Sequence, residues 1–344
     1  MKIEDIARLA NVSKSAVSLA LNDKPGVSEE TRKIILDIAK EYNYVPLRKV
    51  NKNKKKQTKL IRFLACTSGD IVTDNYQTMP FFSQLISKLA DEINHYSYSL
   101  LLSTIDKEMI SKELKHLETE QASSAIILLG TNLSEDDILQ IKEIQKNLVV
   151  IDTCFQKLDV DFVAINNYQG GYLAAKHLVS EGHTSIGYAM SQTRMYNFSE
   201  RQKGFSDCLE DHQLYVNQDF FIEFPGMKIT DQLLHETYLK NLHNLPSAIF
   251  CENDYIAISL VKTLTEIDYR IPEDISIIGF DDIPEATVIS PELSTIHVPI
   301  KQIVQATLER ISKMIEKKQT HSSCQLINTS LIKRNSVTAH KETE

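Results

Sequence analysis

Tryptophan is absent from this 344-residue chain. No stretch approaches the ~18 consecutive apolar residues of a membrane span, so a soluble protein without a membrane partner is expected. Cysteine is sparse: Cys66, Cys154, Cys208, Cys251 and Cys324 stand singly with no CxxC pair. That argues against a disulfide framework or a zinc site and reads as five buried thiols. The opening MKIEDIARLANVS carries Glu4 and Asp5 and no apolar h-region, so it does not read as a signal peptide, and a cytoplasmic location is expected. Motifs that carry chemistry are missing as well. Without GxGxxG or GxxxxGK[ST], nucleotide binding at a glycine-rich turn has no support. There is no GxSxG elbow, the ten histidines form no HxH or Cys/His cluster, and His235-Glu236 meets Leu239 where HExxH needs its second ligand. Asp281-Asp282, adjacent in sequence, do not make the spaced carboxylate pair of a sugar hydrolase. No catalytic residue, metal or cofactor is therefore expected.

What is present is a charge asymmetry and enough length for two or three compact units. Residues 1–60 hold 14 Lys/Arg against 7 Asp/Glu, and the remainder holds 24 against 39. A basic head that meets a polyanion and an acidic body that does not is the natural reading. In the head, Ile3, Ile6, Ala7 and Ala10 fall on one face of a short helix. Ser13 then caps a second helix whose Val17, Ala20 and Leu21 point inward, leaving Lys14, Ser15, Ser18, Leu19 and Asn22 outside. Ser28 caps a third, with Glu29 and Glu30 at its positive end and Ile34, Ile35, Ile38, Ala39 and Tyr42 as its apolar stripe, ending before Pro46. Two short helices joined by a tight turn form a helix-turn-helix, whose second helix enters the major groove of double-stranded DNA. Lys14 can donate to guanine or phosphate, Ser15 and Ser18 to a base or backbone oxygen, and Leu19 can touch a thymine methyl.

The phrase SKSAVSLALND followed by PGVSEETRKIILDIAKEYNYVP closely resembles the DNA-binding head of the LacI/GalR family of bacterial transcription regulators. The resemblance implies that Lys14, Ser15 and Leu19 hold the base-reading positions. Many members carry an Arg at the position of Leu19, so a different operator step is expected there. It also implies a hinge at residues 47–59, where Val50 and Asn53 stand at the positions of a family Ala and a Leu that wedges into the minor groove. Asn53 is a poor wedge, and Lys52, Lys54, Lys55, Lys56 and Lys59 favour salt-sensitive phosphate contacts instead.

From Leu60 onward, short apolar runs alternate with amphipathic stretches. Strands are predicted at Leu60–Cys66, Tyr98–Ser103, Ala125–Leu129, Leu148–Asp152, Phe162–Ile165, Ser185–Ala189, Ala248–Cys251 and Ser276–Phe280. Such alternation makes an α/β fold with parallel sheets and ligands at the carboxyl ends of strands. NNYQGGYLAAKHLVSEGHTSIGY, RQKGF, CENDYIAISL and RIPEDISIIGFDDIPEATVISPELSTI extend the resemblance over nearly the whole chain. They are similar to the family's two-lobed effector domain, itself like periplasmic sugar-binding proteins. The expected organisation is a head at 1–46, a linker at 47–59 and an effector-binding, dimerising body at 60–340. Within the body, the first lobe takes about 60–163 and 297–323, and the second about 164–296 and 324–340.

The resemblance places Arg201, Asn253 and Asp281 on the effector. A fork donor, an acid and an amide suit a polyol. A sugar also seeks aromatic faces, for which Tyr76, Phe81, Phe82, Phe155, Tyr196, Phe198 and Phe224 are candidates. Gly182-His183 reads as a helix C-cap, and Asp282 as a brace for the loop before Pro284. The expected protein is a homodimeric repressor of carbohydrate-utilisation genes, tuned allosterically by a small sugar. A purine corepressor or a protein partner would suit the same residues. A stand-alone sugar-binding protein is disfavoured by the basic head.

Overall fold

The computed structural model describes residues 3–22, 24–42, 44, 59–68, 71–224, 245–318 and 321–340. The chain divides into two compact units, meeting at Thr58/Lys59. The basic linker, with Val50 and Asn53, lies outside the described residues apart from Lys59, as do His235 and Glu236.

The first unit contains α1 (Ile3–Leu9), α2 (Lys14–Leu21) and α3 (Glu29–Glu41). Ser13 caps α2 by accepting from the Ala16 amide, and Ser28 caps α3 by accepting from the Thr31 amide. Ile6, Ala7, Val17, Ala20, Leu21, Ile35 and Ala39 form a small core. Ile34 and Tyr42, expected in the apolar stripe of α3, are about half exposed. The helix turns by 3.6 residues, so Ile35 and Ala39 fill the inner face while Ile34 lies off it.

The second unit holds two six-stranded sheets. The first contains β1 (Lys59–Thr67), β2 (Tyr98–Asp106), β3 (Ala125–Leu129), β4 (Leu148–Ile151), β5 (Asp161–Ile165) and β11 (Cys324–Ile327) in the order β11-β5-β4-β3-β1-β2, all parallel. The second contains β6 (Ile186–Ser191), β7 (Phe221–Phe224), β8 (Ala248–Cys251), β9 (Ser276–Asp281), β10 (Ser294–His297) and β12 (Ser330–Ile332) in the order β12-β10-β9-β8-β6-β7. Only its edge strand β12 runs antiparallel among the described pairings. Every residue of β3, β4, β5 and β8 is buried, which is why these strands read as unbroken apolar runs.

The chain passes from one sheet to the other between Ile165 and Ile186, between His297 and Cys324, and between Ile327 and Ser330. The third passage corrects the expected lobe boundary. Cys324–Ile327 pairs with Phe162–Ile165 and so belongs to the first lobe, and the crossing falls at Asn328-Thr329. The same pairing overturns the expectation of five free thiols. It carries Cys324 to Cys154, 170 residues away in sequence, and the two are joined as a disulfide. Cys66, Cys208 and Cys251 are buried free thiols. No helix among the described residues is long and apolar enough to cross a membrane.

One helix pair sets up the site. α7 (Asn167–Ser180) crosses α8 (Tyr196–Asp211) at glycines on both sides. A Cβ on Gly171 would lie 2.0 Å from the Arg201 carbonyl oxygen, and one on Gly204 would lie 1.9 Å from the Tyr168 carbonyl oxygen. The backbones meet only because both positions lack a side chain.

Candidate DNA-reading face and effector cleft

On α2, Lys14, Ser15 and Asn22 are exposed, while Ser18 and Leu19 are half-buried. Lys14 is paired with Glu4 of α1 at 2.7 Å, and the Asn22 side chain donates to the Ser18 carbonyl at 2.7 Å. Arg32 of α3 donates to the carbonyl of Lys24 at 2.7 Å, anchoring the turn that follows α2. A Cβ on Gly26 would come within 3.3 Å of Leu19, so that turn covers one side of the Leu19 side chain. The five predicted residues therefore share one helix face. Asn22 also serves as C-cap.

In the body, polar groups gather where parallel strands end. Thr131 follows β3, Asp152 ends the β4 segment, Glu252 follows β8 and Asp281 is the last residue of β9. The first turn of α7 supplies Asn167, and the first two turns of α8 supply Asn197 and Arg201. Arg201 is almost wholly buried, and its guanidinium is engaged on every side. Nε donates to Asn167 Oδ1 at 2.9 Å, Nη1 to the Glu252 carbonyl, and Nη2 to Asp281 Oδ1 at 3.2 Å. Its carbon lies 3.6 Å from the Phe280 ring centroid and 5.5 Å from that of Phe198. The contact at Gly171 explains how the backbone of Arg201 comes so deep.

A second chain of hydrogen bonds runs between the lobes. Thr131 donates to Asp152 at 2.5 Å, Asn197 donates to Asp152 at 3.0 Å, and Asn167 donates to Asn197 at 3.0 Å. Asp152 belongs to the first lobe, and Asn197 and Asn167 to the second. Burial raises the Asp152 carboxyl, against the lowering pull of Thr131, Arg201 and Asn197. Burial also pushes Asp281 up to about 7; Arg201 opposes that rise and the Asp152 charge adds to it. Glu252 is likewise raised by burial, although Arg194 binds it at 2.6 Å and Tyr188 donates to it at 2.9 Å.

Thr131, Asp152, Asn197, Arg201 and Asp281 line a tight inner chamber, with Phe81 and Phe82 on the first-lobe side and Met195 and Phe198 on the other. It adjoins a larger, more open outer chamber that shares Thr131 and Met195 with it. The structure thus brings Arg201, Asp281, Phe81, Phe82 and Phe198 to the inner chamber, and Phe155 and Tyr196 to the outer one. Three predicted residues line neither. Asn253 is the N-cap of α9 (Asp254–Glu266), where its Oδ1 accepts from the Ile256 amide at 2.8 Å. Tyr76 packs edge-on behind Phe82 at 5.8 Å, and Phe224 is a buried core residue ending β7. Asp282 braces its loop by accepting from Arg334 at 2.6 Å and pairing with His297 at 2.8 Å. His183 bonds Ser247 and the Thr338 carbonyl instead of carbonyls of its own helix.

Sequence reasoning passed over Asp152, Thr131, Asn197, Arg194 and Met195. The first two carried a usable signal: each is the first polar side chain after a fully buried strand. Among the described residues, no group of three or more His, Cys, Asp or Glu side chains could hold a metal.

Residues 2–47 match the family described as bacterial regulatory proteins, lacI family, and residues 175–337 match the periplasmic binding protein-like domain. The head is that of the lacI family of bacterial regulators, and together with the periplasmic binding protein-like body it makes the chain a DNA-binding transcriptional regulator with an effector-binding domain. It is 27% identical over 337 residues to the "HTH-type transcriptional repressor PurR" of Mannheimia succiniciproducens, covering 97% of this chain and 98% of the relative. It is 28% identical to the "Ribose operon repressor" of Haemophilus influenzae, with the same coverage. Its body resembles the solved structure of a LacI family transcriptional regulator from Enterococcus faecium with bound ribose. There the TM-score is 0.68 at 26% identity, with 82% of this chain and 100% of that chain covered.

Proposed function

We propose that this regulator represses carbohydrate-utilisation genes in the cytoplasm. It binds a pseudo-palindromic operator as a homodimer and changes its grip when a small sugar enters the cleft. The observation that carries the sugar reading is the inner chamber itself. A buried fork donor, two carboxylates with raised pKa, an amide and a hydroxyl stand between phenylalanine faces, and hydroxyls that both donate and accept are what such a set can pair. The ribose repressor among the relatives and the ribose-bound neighbour agree with it. On the DNA side, Lys14, Ser15, Ser18, Leu19 and Asn22 read the major groove, and Val50 and Asn53 meet the minor groove through the linker.

One observation favours a purine as a second reading. Phe82 and Phe198 both line the inner chamber, and flat faces also suit a flat base. Fluorescence anisotropy on the DNA upstream of the gene, at fixed salt, separates the two. Release by a sugar supports repression relieved by carbohydrate. Tightening by a purine, with indifference to sugars, overturns that reading.

A further inference from the structure

We propose that Glu4 is a specificity-determining residue of the operator contact, forming with Lys14 one donor–acceptor reader for a single G·C base pair. The inference rests on the reading that the exposed face of α2 enters the major groove. Its starting point is where the charge lies. Residues 1–46 carry seven Lys/Arg and seven Asp/Glu, whereas residues 47–60 carry seven Lys/Arg and no acid. The sequence-independent pull toward phosphates therefore comes from the linker, and the electrically balanced head is left to discriminate.

Glu4 is the second residue of α1 and Lys14 the first of α2, and Glu4 Oε1 accepts from Lys14 Nζ at 2.7 Å. The two side chains are 54% and 63% exposed, and an ion pair so exposed adds little to stability. A cation in the first turn of a helix is also opposed by the helix dipole, and α2 has no acid of its own there. Local stability thus gives no reason for Lys14, and the charge that balances it comes from the neighbouring helix. The next acid, Asp5, pairs with Arg8 at 3.3 Å and remains at the positive end of α1 when Glu4 is neutralised.

The pair complements one base-pair edge. In the major groove G·C presents guanine N7 and O6 as acceptors and cytosine N4 as a donor. O6 and N4 are hydrogen-bonded to each other, about 2.9 Å apart, which is close to the spacing of Nζ and Oε1. With one proton on Glu4, the ammonium keeps two donors for O6 and N7, and the carboxylate accepts from N4. A·T presents acceptor, donor, acceptor, and so sets adenine N6 against the ammonium and thymine O4 against the carboxylate. A phosphate offers acceptors alone. Glu4 is repelled there, which turns Lys14 from a backbone contact into a base contact.

The test uses the purified full chain. A duplex operator is selected from random-sequence DNA, each base pair of a half-site is replaced in turn, and anisotropy titrations on these and on a scrambled duplex are run at several salt concentrations. At one position per half-site, replacing G·C by A·T should cost wild type at least about tenfold. Glu4→Gln and Lys14→Ala should each abolish the preference at that position, and the double variant should lose no more than either, as one reader requires. On the scrambled duplex Glu4→Gln should bind more tightly, with a salt dependence steeper by about one counterion per head. Thermal melts of each variant separate lost reading from lost folding. Glu4→Gln that keeps full discrimination at every base pair, or loses it evenly along the half-site, overturns the inference and leaves the major-groove reading standing. If neither Lys14→Ala nor Ser15→Ala alters the preference at any base pair, both fall.

Discussion

At the scale of single residues, the cleft is governed by carboxyls that burial makes reluctant to ionise. Asp281 is raised from 3.8 to about 7, chiefly by burial, with Arg201 lowering it and Asp152 raising it. The folded chain therefore holds this proton between about pH 4 and 7, where the unfolded chain has released it. Stability from the group is full below its unfolded pKa and is lost as pH rises toward 7. Asp281→Asn should flatten the fall in unfolding free energy between about pH 4 and 7, measured by urea titration. A slope equal to wild type would show that other groups carry it. The same proton matters to ligand. A hydroxyl donates best to an ionised carboxylate, so effector affinity should rise from pH 6 to 8 in wild type and stay level in the Asn variant. Asn253 contrasts with Asp281. It reads in sequence as a polar group at a strand end, yet its oxygen is committed to the Ile256 amide. Asn253→Ser, which keeps a capping oxygen, should retain effector binding, whereas Arg201→Lys should lose most of it, since an ammonium cannot reproduce three directed contacts.

At the scale of elements, the crossing of α7 and α8 decides where Arg201 sits. Gly204→Ala would put a methyl 1.9 Å from the Tyr168 carbonyl, and rigid backbone can give way only by the helices parting. We expect a loss of about 1–3 kcal/mol or more in denaturant melts, with effector affinity falling beyond what the destabilisation explains. An unchanged melt would mean that the helices part freely and do not position the arginine. NNYQGG and RQKGF stand out in the sequence as motifs, but the mutual contact of Gly171 and Gly204 is not legible there, because it joins segments 33 residues apart. Strands show a similar division. Eight apolar runs are legible as strands, most of them to within a residue or two. β7, β11 and β12 were not, being edge strands of three or four residues whose exposed side chains break the apolar pattern. β10, inside the sheet, is Ser-Thr-Ile-His and carries one aliphatic residue. The misplaced lobe boundary and the missed Cys154–Cys324 pair both follow from β11, whose sheet is chosen by partners 160 residues upstream. In the head, Ser13 and Ser28 announced their caps because capping is local. Ser13→Ala should cost about 1 kcal/mol of head stability by calorimetry.

At the scale of the whole molecule, regulation requires that the effector distinguish two arrangements of the protein, since a ligand with equal affinity for both shifts nothing. The hydrogen bond from Asn197 of the second lobe to Asp152 of the first is a contact that any parting of the lobes must break. Asn197 also accepts from Asn167, which orients Arg201, so the contact ties lobe position to the effector's fork donor. Asn197→Ala removes this tie and leaves the Arg201–Asp281 pair in place. Effector binding should survive in that variant within about tenfold, by calorimetry. The factor by which effector changes operator affinity, commonly ~5–150 in coupled systems, should collapse toward one in anisotropy titrations. Linkage supplies an internal check: in wild type, saturating operator must change effector affinity by the same factor, and in Asn197→Ala it must leave that affinity nearly unchanged. If the variant binds effector and still responds in full, the lobes are coupled to the operator by contacts other than this one.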